Sequence, residues 1–209
     1  MTPLLSTAFC PPIEYFAVLA GYSSVYMEAS ESYVKQSWRN RCRLLTANGP
    51  QDFTVPVVHP ATPAKMGIGE VRVEYSTPWV AKFEKAVESA YGSSPYYIYY
   101  ADEFFAILDS RPTTRWELNA GIISWLCRRI GIAPEIIPTT AYYPVEAKGS
   151  GFMDLRETIH PKRPNSILVE MGLGRPYWQV FRERFGFTPG LSVLDLLFNE
   201  GPETIGWLR

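Results

Sequence analysis

Histidine is the scarcest chemistry-bearing residue of this chain. Only His59 and His160 occur among the 209 residues, each followed directly by proline and far from the other, which argues against a metal site built on imidazole. Cysteine is sparse as well. Cys10, Cys42 and Cys127 are widely spaced, odd in number and form no CxxC pair. Zinc-knuckle and dithiol redox chemistry are therefore not expected, and free cytosolic thiols are. The net charge of −1 lacks the basic excess of a protein that grips many phosphates, so no nucleic-acid partner is expected. Apolar runs such as Ala17–Ala20 fall far short of the ~20 residues a membrane span needs. The start, Met1-Thr2-Pro3, has neither the charged nor the long apolar region of a signal peptide. No repeat, low-complexity tract or break in composition divides the chain, so one domain over residues 1–209, in the cytoplasm, is the expectation.

What is abundant is aromatic: 13 Tyr, 11 Phe and 6 Trp. Most such rings fill cores, and some serve as platforms for sugars or bases. The charges are scattered except in one stretch, Tyr33–Arg43, where Lys35, Arg39, Arg41 and Arg43 crowd together and no acid follows until Asp52.

The order of elements gives that stretch a setting. An apolar run at Leu4–Phe9, a proline turn, helical spacing from Ile13 to Gly21 and a second run at Ser24–Glu28 predict a βαβ unit. Asn48-Gly49 then marks a hairpin running to about Val58. A Pro- and Gly-punctuated loop (59–68) and a half-exposed strand over Gly69–Glu74 follow. Amphipathic helices are predicted from Trp79, after the ring-rich Tyr96–Tyr100, and from Thr114, with a strand near Glu135–Thr140. A weakly patterned connection over 142–165 leads to a last buried helix at Leu191–Phe198. The fold class read from this is α/β, a Rossmann-like βαβ core with an inserted hairpin and a helical C-terminal half.

Ligands of open α/β sheets bind outside the carboxyl ends of the strands, and the basic stretch begins just past one such end. Arginine offers a planar fork suited to phosphate or carboxylate. Lys35, Arg39, Asn40, Arg41 and Arg43 are therefore candidate ligand-binding residues, with Tyr15 at the first helix, and an anionic small molecule is the expected partner. In an extended segment Arg39, Arg41 and Arg43 would point one way and Asn40 and Cys42 the other. The competing reading pairs these cations with Glu28, Glu31, Glu70 or Glu74 at the surface. Glu14 and Glu28, near strand ends, are candidate general bases, and so is His160, whose polar neighbours include Asp154, Arg156 and Lys162. Cys10 and Cys42 are weaker candidates as nucleophiles. No cofactor is indicated by any motif.

Five phrases carry a family resemblance: Pro11–Phe16, Tyr33–Cys42, Thr54–Val57, Glu88–Tyr91 with Ser94-Pro95, and Leu191–Pro202. In that order they resemble the WbqC-like proteins over nearly the whole chain. The resemblance implies a bacterial cytoplasmic protein associated with surface-polysaccharide and O-antigen biosynthesis. It points to a phosphorylated or nucleotide-linked sugar as ligand and to a transferase, such as an acyltransferase, if the protein is an enzyme. The alternative it allows is a non-catalytic partner of polysaccharide biosynthetic enzymes, docking through the Tyr96–Tyr100 rings. The opening βαβ unit also resembles nucleotidylyltransferase-type folds, but it has no histidine where those carry HxGH, so adenylyl transfer by that route is not expected.

Overall fold

A computed structural model of the protein describes residues 1–58, 66–144 and 151–209. His59 and the predicted loop as far as Lys65, and residues 145–150 of the long connection, lie outside the described residues. Strand β1 (Thr2–Ser6), helix α1 (Ile13–Gly21) and strand β2 (Ser24–Glu28) form the expected unit, with β1 and β2 parallel. Its helix is apolar but for Glu14 and the Tyr15 hydroxyl, and eight of its nine residues are buried. A helix of that kind must lie inside the protein. Pro12 stands at its N-cap in extended conformation, which starts the helix without a side-chain cap.

The sheet has four parallel strands in the order β5-β2-β1-β6, with β5 at Glu135–Pro138 and β6 at Phe152–Asp154. Strand β6 lies inside the stretch that the sequence leaves as a connection. At three residues it is too short for an alternating pattern to emerge. The hairpin of β3 (Arg41–Thr46) and β4 (Gly49–Thr54) forms at the expected place, but its turn is Ala47-Asn48, Gly49 opens β4 at φ +99° opposite Thr46, and the second strand ends at Thr54 rather than near Val58.

Helices α2 (Trp79–Tyr91), α3 (Tyr97–Asp109) and α4 (Arg115–Ile130) follow. Thr114 caps α4 in a reciprocal box with Glu117, and Gly131 closes it in left-handed conformation. Two predictions need correction. Gly69–Glu74 is not a strand but a 3-10 turn (Ile68–Glu70) followed by single bridges from Arg72 and Val73, although Val71 and Val73 are buried as the alternation implied. The ring-rich segment is the first turn of α3 rather than a separate surface. Tyr97 packs edge-on against Phe105 and Phe198, and only Ile98 and Tyr99 of that segment's apolar residues are exposed. A patch two residues wide is ordinary for a monomer.

Short helices α5 (Ile167–Glu170) and α6 (Arg182–Phe185) lead to α7 (Val193–Glu200), seven of whose residues are buried. Gly201 ends α7 at φ +55°, and an added Cβ would run into the Tyr96 ring. Gly201→Ala is therefore expected to cost about 2 kcal/mol or more from backbone strain and ring displacement. Gly131→Ala, at φ +80° in open space, is expected to cost about 1 kcal/mol. Urea midpoints of the two variants at equal m-value check the difference.

Candidate functional site

Because all four strands run the same way, Ser6, Glu28, Pro138 and Asp154 mark one edge of the sheet. Strand β1 is paired with β2 on one side and β6 on the other, so the chain path diverges between β1 and β6. Ligand crevices of open α/β sheets form at such a divergence. A crevice does lie there. It is lined by Leu5–Ala8, by Leu155, Arg156 and Ile159 beyond β6, by Tyr15 of α1, and by Trp38 and Arg39. Beside it, sharing Arg39 and Arg156, is a cleft of about 460 Å³ whose other walls are Ser30, Glu31, Ser32, Val34, Tyr142 and Glu157.

Two buried ion-pair networks build this cleft. Arg39 donates from Nε to Glu31 Oε1 (2.7 Å) and from Nη2 to Glu31 Oε2 (2.5 Å) and Ser6 Oγ (2.6 Å). Ser6 in turn donates to Glu31 Oε2 at 3.2 Å. Arg156 donates to Glu28 Oε2 at 3.0 Å and grips Asp154 through Nε (2.9 Å) and Nη2 (2.5 Å). Burial works against charge on Arg156, but the Asp154 hydrogen bonds and the acids around it prevail and raise its pKa. Glu28 is fully buried and also accepts from Thr139 Oγ1 (2.6 Å), Ser30 N (2.9 Å) and Tyr143 N (3.2 Å). Tyr142, half exposed, presents its ring 5.7 Å from the Arg156 guanidinium carbon. Each arginine is thus neutralised by fixed carboxylates. The cleft offers donors and acceptors side by side rather than bare positive charge.

The basic stretch does not act as a unit. Strand β3 begins only at Arg41, and a turn over Ser37–Asn40 precedes it. Arg39 consequently turns inward, whereas Arg41 and Arg43 stand on the hairpin and share Asp52, at 3.4 and 2.7 Å. Lys35 is exposed. Asn40 is buried and donates to the Tyr33 hydroxyl at 3.2 Å. Tyr15 lies under the crevice, its hydroxyl donating to Ser6 O at 2.9 Å.

Of the three candidate general bases, Glu28 is enclosed in the Arg156 network. Glu14 is buried at the start of α1 and accepts from Asn165 Nδ2 at 3.2 Å. Burial pushes its carboxyl up. His160 is half-buried, its Nδ1 accepting from Lys162 N at 3.2 Å, and burial pushes its imidazole down. Neither Glu14 nor His160 lines the cleft. All three cysteines are buried, and burial pushes the Cys10 thiol well up and that of Cys127 to about 12, the opposite of an activated nucleophile. Among the described residues no group of three or more His, Cys, Asp or Glu is placed to hold a metal ion. No described helix is long and apolar enough to cross a membrane.

Sequence reasoning did not join Glu31, Arg156, Tyr142, Thr139 and Glu157 to the site. Two signals existed: Glu31 as an expected ion-pair partner of the basic stretch, which the structure pairs with Arg39 in the interior rather than at the surface, and the polar run around Asp154 and Arg156, which gains meaning only when β6 lies beside β1.

Comparison with known proteins places this geometry in context. A family model described as the WbqC-like protein family matches residues 7–163. An uncharacterized protein of Mycobacterium tuberculosis, Rv1507c, is 26% identical over 227 aligned positions, covering 99% of this chain and 96% of the relative. No solved structure matches the chain.

Proposed function

For a chain that belongs to the WbqC-like protein family, with a cleft lined by the Arg39–Glu31 pair and by Arg156, we propose the binding of a phosphorylated or nucleotide-linked sugar in cytoplasmic surface-polysaccharide synthesis. The sugar ring occupies the cleft beside the sheet edge. The carrying observation is that Arg39, its partner Glu31 and Arg156 line one cleft, with Arg156 held from behind by the buried Glu28. A sugar hydroxyl both donates and accepts, and a wall that presents a fixed donor beside a fixed acceptor meets both needs with no reorganisation. A bare anion would meet carboxylates as well as guanidinium groups there, so the hydroxyl-rich part of the ligand suits this cleft best. Tyr142 supplies an apolar face for the ring. The reaction that fits such a ligand is group transfer to the sugar, acylation of an amino sugar among the options.

Titration calorimetry of the protein with nucleotide-linked and 1-phosphorylated hexoses and amino-hexoses tests the reading. Tyr142 is exposed at the cleft and Glu157 half-buried, so Tyr142→Ala and Glu157→Gln are expected to leave Tm near that of the wild type while weakening binding by roughly tenfold, as loss of a stacking face or of one hydrogen bond to charge would. Absence of binding across the panel, or equal binding by both variants, overturns it.

A further inference from the structure

We propose that Arg115, at the first turn of α4, is the anchor of a second site that binds phosphate or a phosphate ester. Arg115 is fully buried, yet its Nε, Nη1 and Nη2 have no hydrogen-bond partner among the described residues. Its contact is with the Tyr33 ring, 4.3 Å from the guanidinium carbon to the centroid. A ring face supports a cation, and with the Tyr33 hydroxyl as the one polar group that favours its charge by hydrogen bonding, most of the five N–H donors stay unused among the described residues. The contrast with Arg39 and Arg156 is sharp, because each of those is bound by carboxylates. The nearby Glu31 is committed to Arg39 through both oxygens. Residues 59–65, His-Pro-Ala-Thr-Pro-Ala-Lys, bring no acid to it either.

The position favours an anion for a second reason. Arg115 opens a helix of 16 residues, so the positive end of the helix dipole and the guanidinium act on the same space. Asn119, one turn further on the same face, gives its Nδ2 protons to Thr7 Oγ1 and Arg39 O and keeps an unpartnered Oδ1 among the described residues. Asn40 Oδ1, on the amide that holds the Tyr33 hydroxyl, is likewise unpartnered there. A hydrogen phosphate carries oxygens for the guanidinium fork and an O–H for an amide oxygen. Burial pushes the Arg115 pKa down to about 10, against the opposing influence of the Tyr33 hydroxyl and Glu31. A protein that keeps an uncompensated buried guanidinium gives up stability for it, the mark of a group retained for binding.

The site adjoins the sugar cleft, whose wall includes Glu31 and the two neighbours of Tyr33, and is tested with inorganic probes. Thermal shift and calorimetry are run with phosphate and pyrophosphate at constant ionic strength on the wild type, Arg115→Met, Arg115→Lys and Tyr142→Ala. Pyrophosphate is expected to raise the wild-type Tm. Arg115→Met is expected to have an anion-free Tm at or above that of the wild type and to lose at least tenfold in affinity. Arg115→Lys keeps the charge but not the fork and is expected to bind more weakly than wild type and better than Arg115→Met. Tyr142→Ala keeps the full shift, which separates this site from the cleft. No pyrophosphate effect on the wild type overturns the proposal. So does an undiminished effect on Arg115→Met. A large fall in the anion-free Tm of Arg115→Met, or its failure to fold, overturns it too, since the guanidinium would then be held by the chain itself; Arg115→Lys binding as wild type does the same.

Discussion

Arg156→Met is expected to cost about 3–5 kcal/mol of folding stability, the range for removing one partner of a buried ion pair. The side chains of Arg156 and Glu28 are 2% and 0% exposed, so water cannot take over the charge that Glu28 would be left with. Thr139 and two backbone N–H groups would still donate to Glu28, and they hold the effect within that range. Asp154, at 21% exposure, loses less because solvent reaches it. In Tm the loss amounts to roughly 10 °C or more for a chain of this size. Adding Glu28→Gln to Arg156→Met is expected to recover about 1–2 kcal/mol, because a neutral amide replaces the stranded charge and still accepts from Thr139. Chemical denaturation of the two single variants and the double variant reads this as a coupling. A single-variant loss below about 1 kcal/mol would show that the pair is hydrated in solution, as exposed pairs are.

The second large effect is at Asp195 on α7. Its Oδ2 accepts from the Tyr177 hydroxyl at 2.5 Å and from Gln179 Nε2 at 3.2 Å. Gln179 also spans Thr188, through O at 2.9 Å and N at 2.8 Å. Asp195→Ala strands a buried hydroxyl and an amide N–H and is expected to cost about 2–4 kcal/mol. Asp195→Asn keeps the shape and an acceptor, and it isolates the charge. Burial pushes the Asp195 carboxyl up to about 6, against the hydrogen bonds from Tyr177 and Gln179. A carboxyl raised in the folded state binds its proton before the unfolded chain does, so its contribution to stability grows as pH falls through about 6 and is complete below the unfolded value. Between pH 7 and pH 5 the wild type is therefore expected to gain about 1–2 kcal/mol relative to Asp195→Asn. Paired denaturation curves at the two pH values measure it. A constant difference would mean that Asp195 titrates at its ordinary value.

These two clusters differ in how far the sequence exposed them. In the sequence Asp195 and Asn199 lie four apart in an apolar helix, a spacing that implies a structural tie from that face. The tie has another form: Asn199 bonds back to Asp195 O within the helix, and Asp195 reaches out to Tyr177. The partners stand 18 and 16 positions away, beyond the reach of any local pattern. The Arg156 cluster was visible only as a polar run on a connection. Arg39 was visible as charge, and spacing alone grouped it with Arg41 and Arg43. The turn at Ser37–Asn40 broke that grouping, because side chains share a face only while the backbone stays extended.

By itself the sequence determined the βαβ opening, the hairpin at Asn48-Gly49, the capped helix from Thr114, the buried terminal helix and the membership of the WbqC-like family. Each rests on residues close together in the chain, where proline, glycine, capping and periodicity act directly on backbone conformation. Tertiary structure alone decided which charges meet. It set the three-residue strand β6 beside β1, which brought Arg156 across 128 positions to Glu28. It also turned Arg39 onto Glu31 and buried the Arg115 guanidinium against the Tyr33 ring. Coulomb attraction and desolvation depend on distance in space and on exclusion of water, and neither is written in the order of residues.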